Sequence, residues 1–159
     1  RKYIRALKKA GIEPLTVRET LSFEFDGVAI TVDPPREETY AENASNNSSL
    51  IVTVSLGSQT LLFLGDAESA RIAEYLAGTP VDCTLLKVPL HGAREPMTAA
   101  LLEAICPEYA VITCSDAERE SASTTAALRS CGAEIFLTRL APVPVRCDGE
   151  TIEVFYDRS

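Results

Sequence analysis

Histidine is almost absent: His91 is the only one in 159 residues. Imidazole is a common general base and metal ligand near neutral pH. A single copy leaves no second imidazole to activate a hydroxyl, so Ser121, Ser123 and Thr124 do not read as a serine-hydrolase site. The five cysteines, Cys83, Cys106, Cys114, Cys131 and Cys147, include no CxxC pair, so a cysteine zinc site is not expected. Their odd number argues against a disulfide framework and favours a reducing, cytoplasmic compartment. Cys83, Cys106 and Cys114 lie in or beside apolar segments, where a thiol acts as a small hydrophobe. No glycine-rich phosphate loop, internal repeat or low-complexity tract occurs.

No apolar run approaches the ~20 residues that span a bilayer, so no membrane contact is expected within this chain. The opening residues carry no long apolar stretch, so no signal peptide is expected within them. The opening, Arg1-Lys2-Tyr3-Ile4-Arg5, reads as the middle of a helix, and a piece is expected upstream. Positive charge is also scarce. The formal net charge is −8, which repels phosphate backbones. Basic residues gather only over residues 1–9, as one solvated helix face. Direct nucleic-acid binding is therefore not expected from charge.

What is present describes one globular domain, 1–159, with enough apolar sequence to build a core. Lys2 to Ala10 repeats at helical spacing and stops at Gly11. Ile12 to Val17 reads as a short strand. Leu21 to Phe25 and Val28 to Val32 alternate around an Asp26-Gly27 turn, a hairpin signature. Arg36 to Ser49 is polar and reads as a long surface loop. Leu50 to Leu56 and Gln59 to Leu64 form a second hairpin around Gly57-Ser58. The pattern then alternates: helix Ala67 to Leu76, strand Cys83 to Val88, helix Met97 to Ile105, strand Tyr109 to Cys114, helix Thr124 to Ser130, strand Glu134 to Leu137. Thr151 to Tyr156 is a last strand. Hairpins followed by crossovers predict an α/β (α+β) fold, a mixed sheet flanked by helices.

Two strand exits carry chemistry. Leu61-Leu62-Phe63-Leu64-Gly65-Asp66-Ala67-Glu68 ends an apolar run in a carboxylate. Thr84-Leu85-Leu86-Lys87-Val88-Pro89-Leu90-His91-Gly92 ends one in the lone imidazole. Asp66 and His91 at one sheet edge would suit zinc, manganese or iron. Each also has a plainer reading. Asp66 before a helix is a good N-cap, and His91 could be a satisfied loop histidine. Glu68 suits a first helical turn, and Asn46 and Asn47 suit loop-ordering backbone bonds. Asp116, Glu118 and Glu120, with Glu95 nearby, read as a solvated acidic loop.

Asn46-Asn47-Ser48-Ser49-Leu50, then Leu64-Gly65-Asp66-Ala67-Glu68, then Leu86-Lys87-Val88-Pro89-Leu90-His91-Gly92 resemble the ComEC-type branch of the metallo-β-lactamase-fold hydrolases. Gly132-Ala133-Glu134-Ile135-Phe136 and Asp148-Gly149-Glu150-Thr151-Ile152-Glu153-Val154 extend the likeness over nearly the whole chain. The resemblance implies an αββα sandwich and a site for zinc or manganese, with Asp66 as the bridging carboxylate and His91 as a late ligand. It implies metal-assisted hydrolysis of DNA phosphodiesters, and allows an extracytoplasmic domain of a membrane-tethered DNA importer.

Three departures qualify it. The family's His-x-His-x-Asp-His cluster is missing, as expected of the C-terminal part of such a domain. His-His-Gly-Ser is replaced by Leu90-His91-Gly92-Ala93. A later Gly-His-Pro is replaced by the loop Ser115 to Ser123, which has no histidine. The alternative is a degenerate, metal-free scaffold that binds a partner, a missing N-terminal segment or a second copy of itself.

Overall fold

The computed structural model describes residues 2–158; Arg1, the first residue of the basic run, lies outside them. The helices are α1 (Lys2–Lys9), α2 (Ala44–Asn47), α3 (Ser69–Leu76), α4 (Thr98–Ile105) and α5 (Ala122–Ser130). The strands are β1 (Leu21–Phe25), β2 (Val28–Asp33), β3 (Ile51–Leu56), β4 (Gln59–Phe63), β5 (Leu85–Lys87), β6 (Tyr109–Ile112), β7 (Glu134–Leu137), β8 (Val145–Cys147) and β9 (Ile152–Val154).

β1 to β7 form one seven-stranded sheet in sequence order. β1 to β4 pair antiparallel through hairpins, and β4 to β7 pair parallel. Parallel neighbours need crossovers, and α3, α4 and α5 supply them. Their apolar stripes (Ile72, Leu101, Leu102, Ile105 and Leu128) bury against Leu62, Leu64, Leu86, Ala110 and Ile112 on one sheet face. The expected mixed sheet flanked by helices is therefore present.

A strand alternates its side chains between faces, so Leu85, Val111 and Phe136 point the other way. The separate hairpin β8–β9 covers them through Ile152 and Val154, with Val143 and Tyr156 beside it. This layer stops short. On the same face, register aligns Phe23 with Ile30, Ile30 with Val54 and Val54 with Leu61, and none of these is buried. Phe25 is 76% exposed there. The apolar stripe of α1 is also unpartnered: Tyr3 and Ile4 are exposed and no residue of the helix is buried.

Three expectations need correction. Ile12 to Val17 is irregular, because Pro14 removes a ladder donor and no strand lies alongside. The loop Arg36 to Ser49 contains the short helix α2. Thr151 to Tyr156 shortens to Ile152–Val154 and pairs with β8, which Pro142 and Pro144 had disguised. Among the described residues no helix is long and apolar enough to cross a membrane.

The two sheet halves meet the hairpin at a tight contact. Ser58 N donates to Gly149 O at 2.8 Å, and Gln59 Nε2 to Glu150 O at 2.8 Å. Gly57 has φ +55°, and a Cβ there would lie 2.2 Å from Gly149 O. Gly57→Ala should therefore cost at least ~2 kcal/mol in urea unfolding, through clash and backbone strain together. Phe25→Ser should change stability by no more than ~0.5 kcal/mol in urea unfolding.

Candidate metal half-site at the sheet edge

Asp66 follows β4, Lys87 ends β5 with His91 beyond it, and Thr113 follows β6, so all reach one carboxyl edge of the sheet. Ligands in open α/β sheets gather at such edges. Gly65 turns the chain there with φ +58°. Its Cα lies so close to Ser49 that a Cβ would come within 3.0 Å of Ser49 Oγ. That hydroxyl oxygen accepts from Asp66 N at 3.1 Å, which fixes where the carboxylate starts.

Asp66 is not the N-cap of the following helix. α3 begins at Ser69 with Glu68 as its N-cap, and no side chain of its own caps it. Asn47 does that work from a distance. Its Oδ1 accepts from Glu68 N at 3.3 Å and from Arg71 N at 3.1 Å, while its Nδ2 donates to Glu42 O at 3.1 Å. The carboxylate of Glu68 accepts from Asn43 and from Asn46. Asn46, Asn47 and Glu68 thus bind each other's loops, and Asp66 remains free for other partners.

His91 sits in a strained turn, Pro89–Gly92. Leu90, His91 and Gly92 have φ of 49°, 52° and 72°, and left-handed backbone is costly for Leu and His. The surroundings hold it in place. Gly92 O accepts from Ser121 N at 2.8 Å, and Ala93 O from Thr124 Oγ1 at 3.0 Å. A Cβ on Gly92 would lie 2.7 Å from Ile112, so only glycine fits there.

The turn aims the imidazole. Nδ1 lies 2.7 Å from Thr113 O. A carbonyl only accepts, so a proton on Nδ1 donates to it, and this contact turns Nε2 toward Asp66. Nε2 lies 3.4 Å from Asp66 Oδ1. A proton on Nε2, or a cation between the two atoms, satisfies a gap of that width. Two donors on a tetrahedral zinc, with bonds of about 2.0–2.1 Å, stand ~3.3 Å apart. A backbone carbonyl on the far ring nitrogen is also the usual support of a metal-bound histidine.

Asp66 and His91 together offer at most two donor atoms to a cation. Among the described residues no group of three or more His, Cys, Asp or Glu side chains converges to hold one. The third group at the site is Lys87, whose Nζ donates to Gly65 O at 2.8 Å and lies 3.6 Å from Asp66 Oδ1. Burial pulls its pKa down, and the Asp66 charge pulls it back up.

The loop after β6 is not simply solvated. Glu120 is paired through both oxygens with Arg139 at 3.0 Å, and its side chain is only 12% exposed. Glu95 is buried and accepts from Ser69 Oγ and from Met97 N. Asp116 and Glu118 stay exposed. All five cysteines are unpaired. Cys83 is buried and its thiol is pushed up to about 12 by desolvation, which suits an inert core residue; Cys106 is exposed rather than packed.

Lys87, Thr113, Ser49 and the Glu120–Arg139 pair were not singled out from sequence as site residues. Lys87 carried a signal: it is the lone charge in an apolar strand that ends at the histidine turn. The others act through backbone atoms or distant pairings that no spacing reveals.

No protein-family model matches this chain, and no curated protein matches it.

The Glu120–Arg139 pair gives a pH test. Its hydrogen bonds to Arg139 lower the Glu120 carboxyl from 4.5 to about 2. The unfolded chain therefore takes up this proton first as pH falls. The pair's stabilisation is complete above pH 4.5 and lost as pH drops toward 2. Glu120→Gln should flatten the fall of the thermal midpoint across that window; parallel curves would contradict it.

Proposed function

We propose that this chain is a metallo-β-lactamase-like domain of the ComEC-type branch, in which Asp66 and His91 form half of a divalent-metal site. The observation that carries this is the facing pair: His91 Nε2 lies 3.4 Å from Asp66 Oδ1, and His91 Nδ1 lies 2.7 Å from Thr113 O. The mixed sheet with helices on one face and a second β layer on the other agrees with an incomplete αββα sandwich.

Zinc or manganese would be held by Asp66 and His91, with the remaining donors coming from outside the described residues. A bound cation would supply Lewis-acid polarisation of a phosphodiester and a nucleophile at neutral pH. This chain's own residues would orient the two donors: Ser49 and Gly65 set Asp66, and Thr113 and Gly92 set His91. The acidic surface does not attract DNA by itself, so a DNA substrate rests on the resemblance and on the cation's local field.

A second reading has its own support. Lys87 already offers Asp66 a positive charge, and Leu90 and Ala93 replace polar residues of the family motif. On that reading the domain is a metal-free scaffold whose uncovered apolar face binds a partner or another copy.

Elemental mass spectrometry on the longest native polypeptide containing this chain separates the two. About one to two equivalents of zinc or manganese, lost in Asp66→Ala and His91→Ala, is the expected result. No metal, with Asp66→Ala without effect, would leave the scaffold.

A further inference from the structure

β1 forms one outer edge of the seven-stranded sheet. The other edge, β7, is partly covered: Leu137 N donates to Tyr156 Oη at 2.8 Å. Edge strands are usually blunted by proline, lysine, a bulge or an inward charge. β1, Leu21-Ser22-Phe23-Glu24-Phe25, has no proline or lysine, and its ladder to β2 runs unbroken from Leu21–Val32 to Phe25–Val28. The Asp26-Gly27 turn decides which backbone groups are free. Both residues have positive φ, 50° and 79°, the form of a two-residue hairpin turn whose flanking pair, Phe25–Val28, exchanges both backbone bonds. Alternation then turns the backbone of Leu21 and Phe23 toward β2 and that of Ser22 and Glu24 outward. The side chains divide in the same way. Leu21, Phe23 and Phe25 stand on the uncovered apolar face, where Phe23 is 48% exposed, and Ser22 and Glu24 stand on the opposite one.

We propose that β1 is the docking surface for β1 of a second copy of this chain, paired antiparallel about a two-fold axis at Phe23. The pattern of the strand selects both the occupant and the register. An antiparallel partner must meet the outward backbone groups of Ser22 and Glu24. Pairing Ser22 with the partner's Glu24 meets both at once, sets Phe23 against the partner's Phe23 and Leu21 against the partner's Phe25, and overlaps all five residues of the strand. Sliding the partner two residues one way opposes Glu24 to the partner's Glu24, a like-charge pair. Sliding it the other way sets Phe25 against the partner's Glu19. The register at Phe23 is therefore self-complementary, as an isologous interface requires. It joins the two sheets edge to edge and makes their uncovered apolar faces continuous. The inference rests on the second reading above, naming the strand through which another copy binds, and not on a cation at Asp66 and His91.

Analytical ultracentrifugation of the 159-residue chain in chelator tests this, with Phe23→Lys, Ser22→Lys and Glu103→Gln. The parent should shift from one chain to two as concentration rises. Phe23→Lys opposes like charges at the axis and should weaken dimerisation at least about tenfold. Ser22→Lys sets an ammonium against the Glu24 carboxylate on each side of the axis and should tighten it about threefold or more. Glu103→Gln changes the net charge by the same amount on α4 and should leave the affinity within about twofold. Circular dichroism confirms that each variant is folded. Ser22→Glu, which opposes two carboxylates on each side of the axis and should also weaken the dimer, replaces Phe23→Lys if that variant is not. A parent that stays a single chain at every concentration would overturn the proposal and leave the metal reading untouched. Dimerisation weakened by Phe23→Lys but not tightened by Ser22→Lys would overturn the edge pairing and leave association through the apolar face.

Discussion

The placement of Asp66 at the sheet edge depends on one buried guanidinium. Arg71 is fully buried in α3. Its nitrogens donate to Asp33 Oδ2 at 2.7 Å, Asp33 O at 2.8 Å, Ser49 O at 3.1 Å and Glu74 Oε2 at 3.2 Å. One side chain thus joins the end of β2, the segment leading into β3 and the first crossover helix. A buried charge is tolerated only when paired and hydrogen-bonded, so these segments are held to one arrangement. Ser49, on this network, accepts from the Asp66 amide, and Asn47 two residues earlier caps α3. The antiparallel half of the sheet therefore positions the carboxylate that ends the parallel half.

This explains which parts of the fold were legible in the sequence. Hairpins such as Leu21–Phe25 with Val28–Asp33 were readable because alternation and an Asp-Gly turn are local. The crossovers were readable because strand and helix periodicity alternate. The role of Asp66 was harder. Gly-Asp before a helix looks like a cap, and only the approach of Asn47 from 21 residues upstream of Glu68 shows that the cap is elsewhere. β8 was hidden because three residues between prolines and a turn carry almost no pattern. The pairing of Asp66 with His91 was anticipated because both end neighbouring strands. The approach of Lys87 to Asp66 was not, since a strand lysine reads as solvent-facing until the register is known.

The two faces of the sheet carry different information. The helix-covered face is closed and holds the main core. The other is covered only where β8–β9 lies, and continues as exposed apolar surface over β1 to β4. A face of this kind marks an interaction surface or a missing layer. That agrees with the site, where two donors converge and further ones do not. On the proposed sandwich architecture, an additional layer would lie on this face.

The central claim is that the fold presents His91 Nε2 to Asp66. Nitrogen-15 NMR of the single histidine reads this directly, at a pH where the ring is neutral. The account predicts the tautomer with the proton on Nδ1 and a bare Nε2, which shifts on addition of zinc. A proton on Nε2, donated to Asp66 and unmoved by zinc, would contradict it.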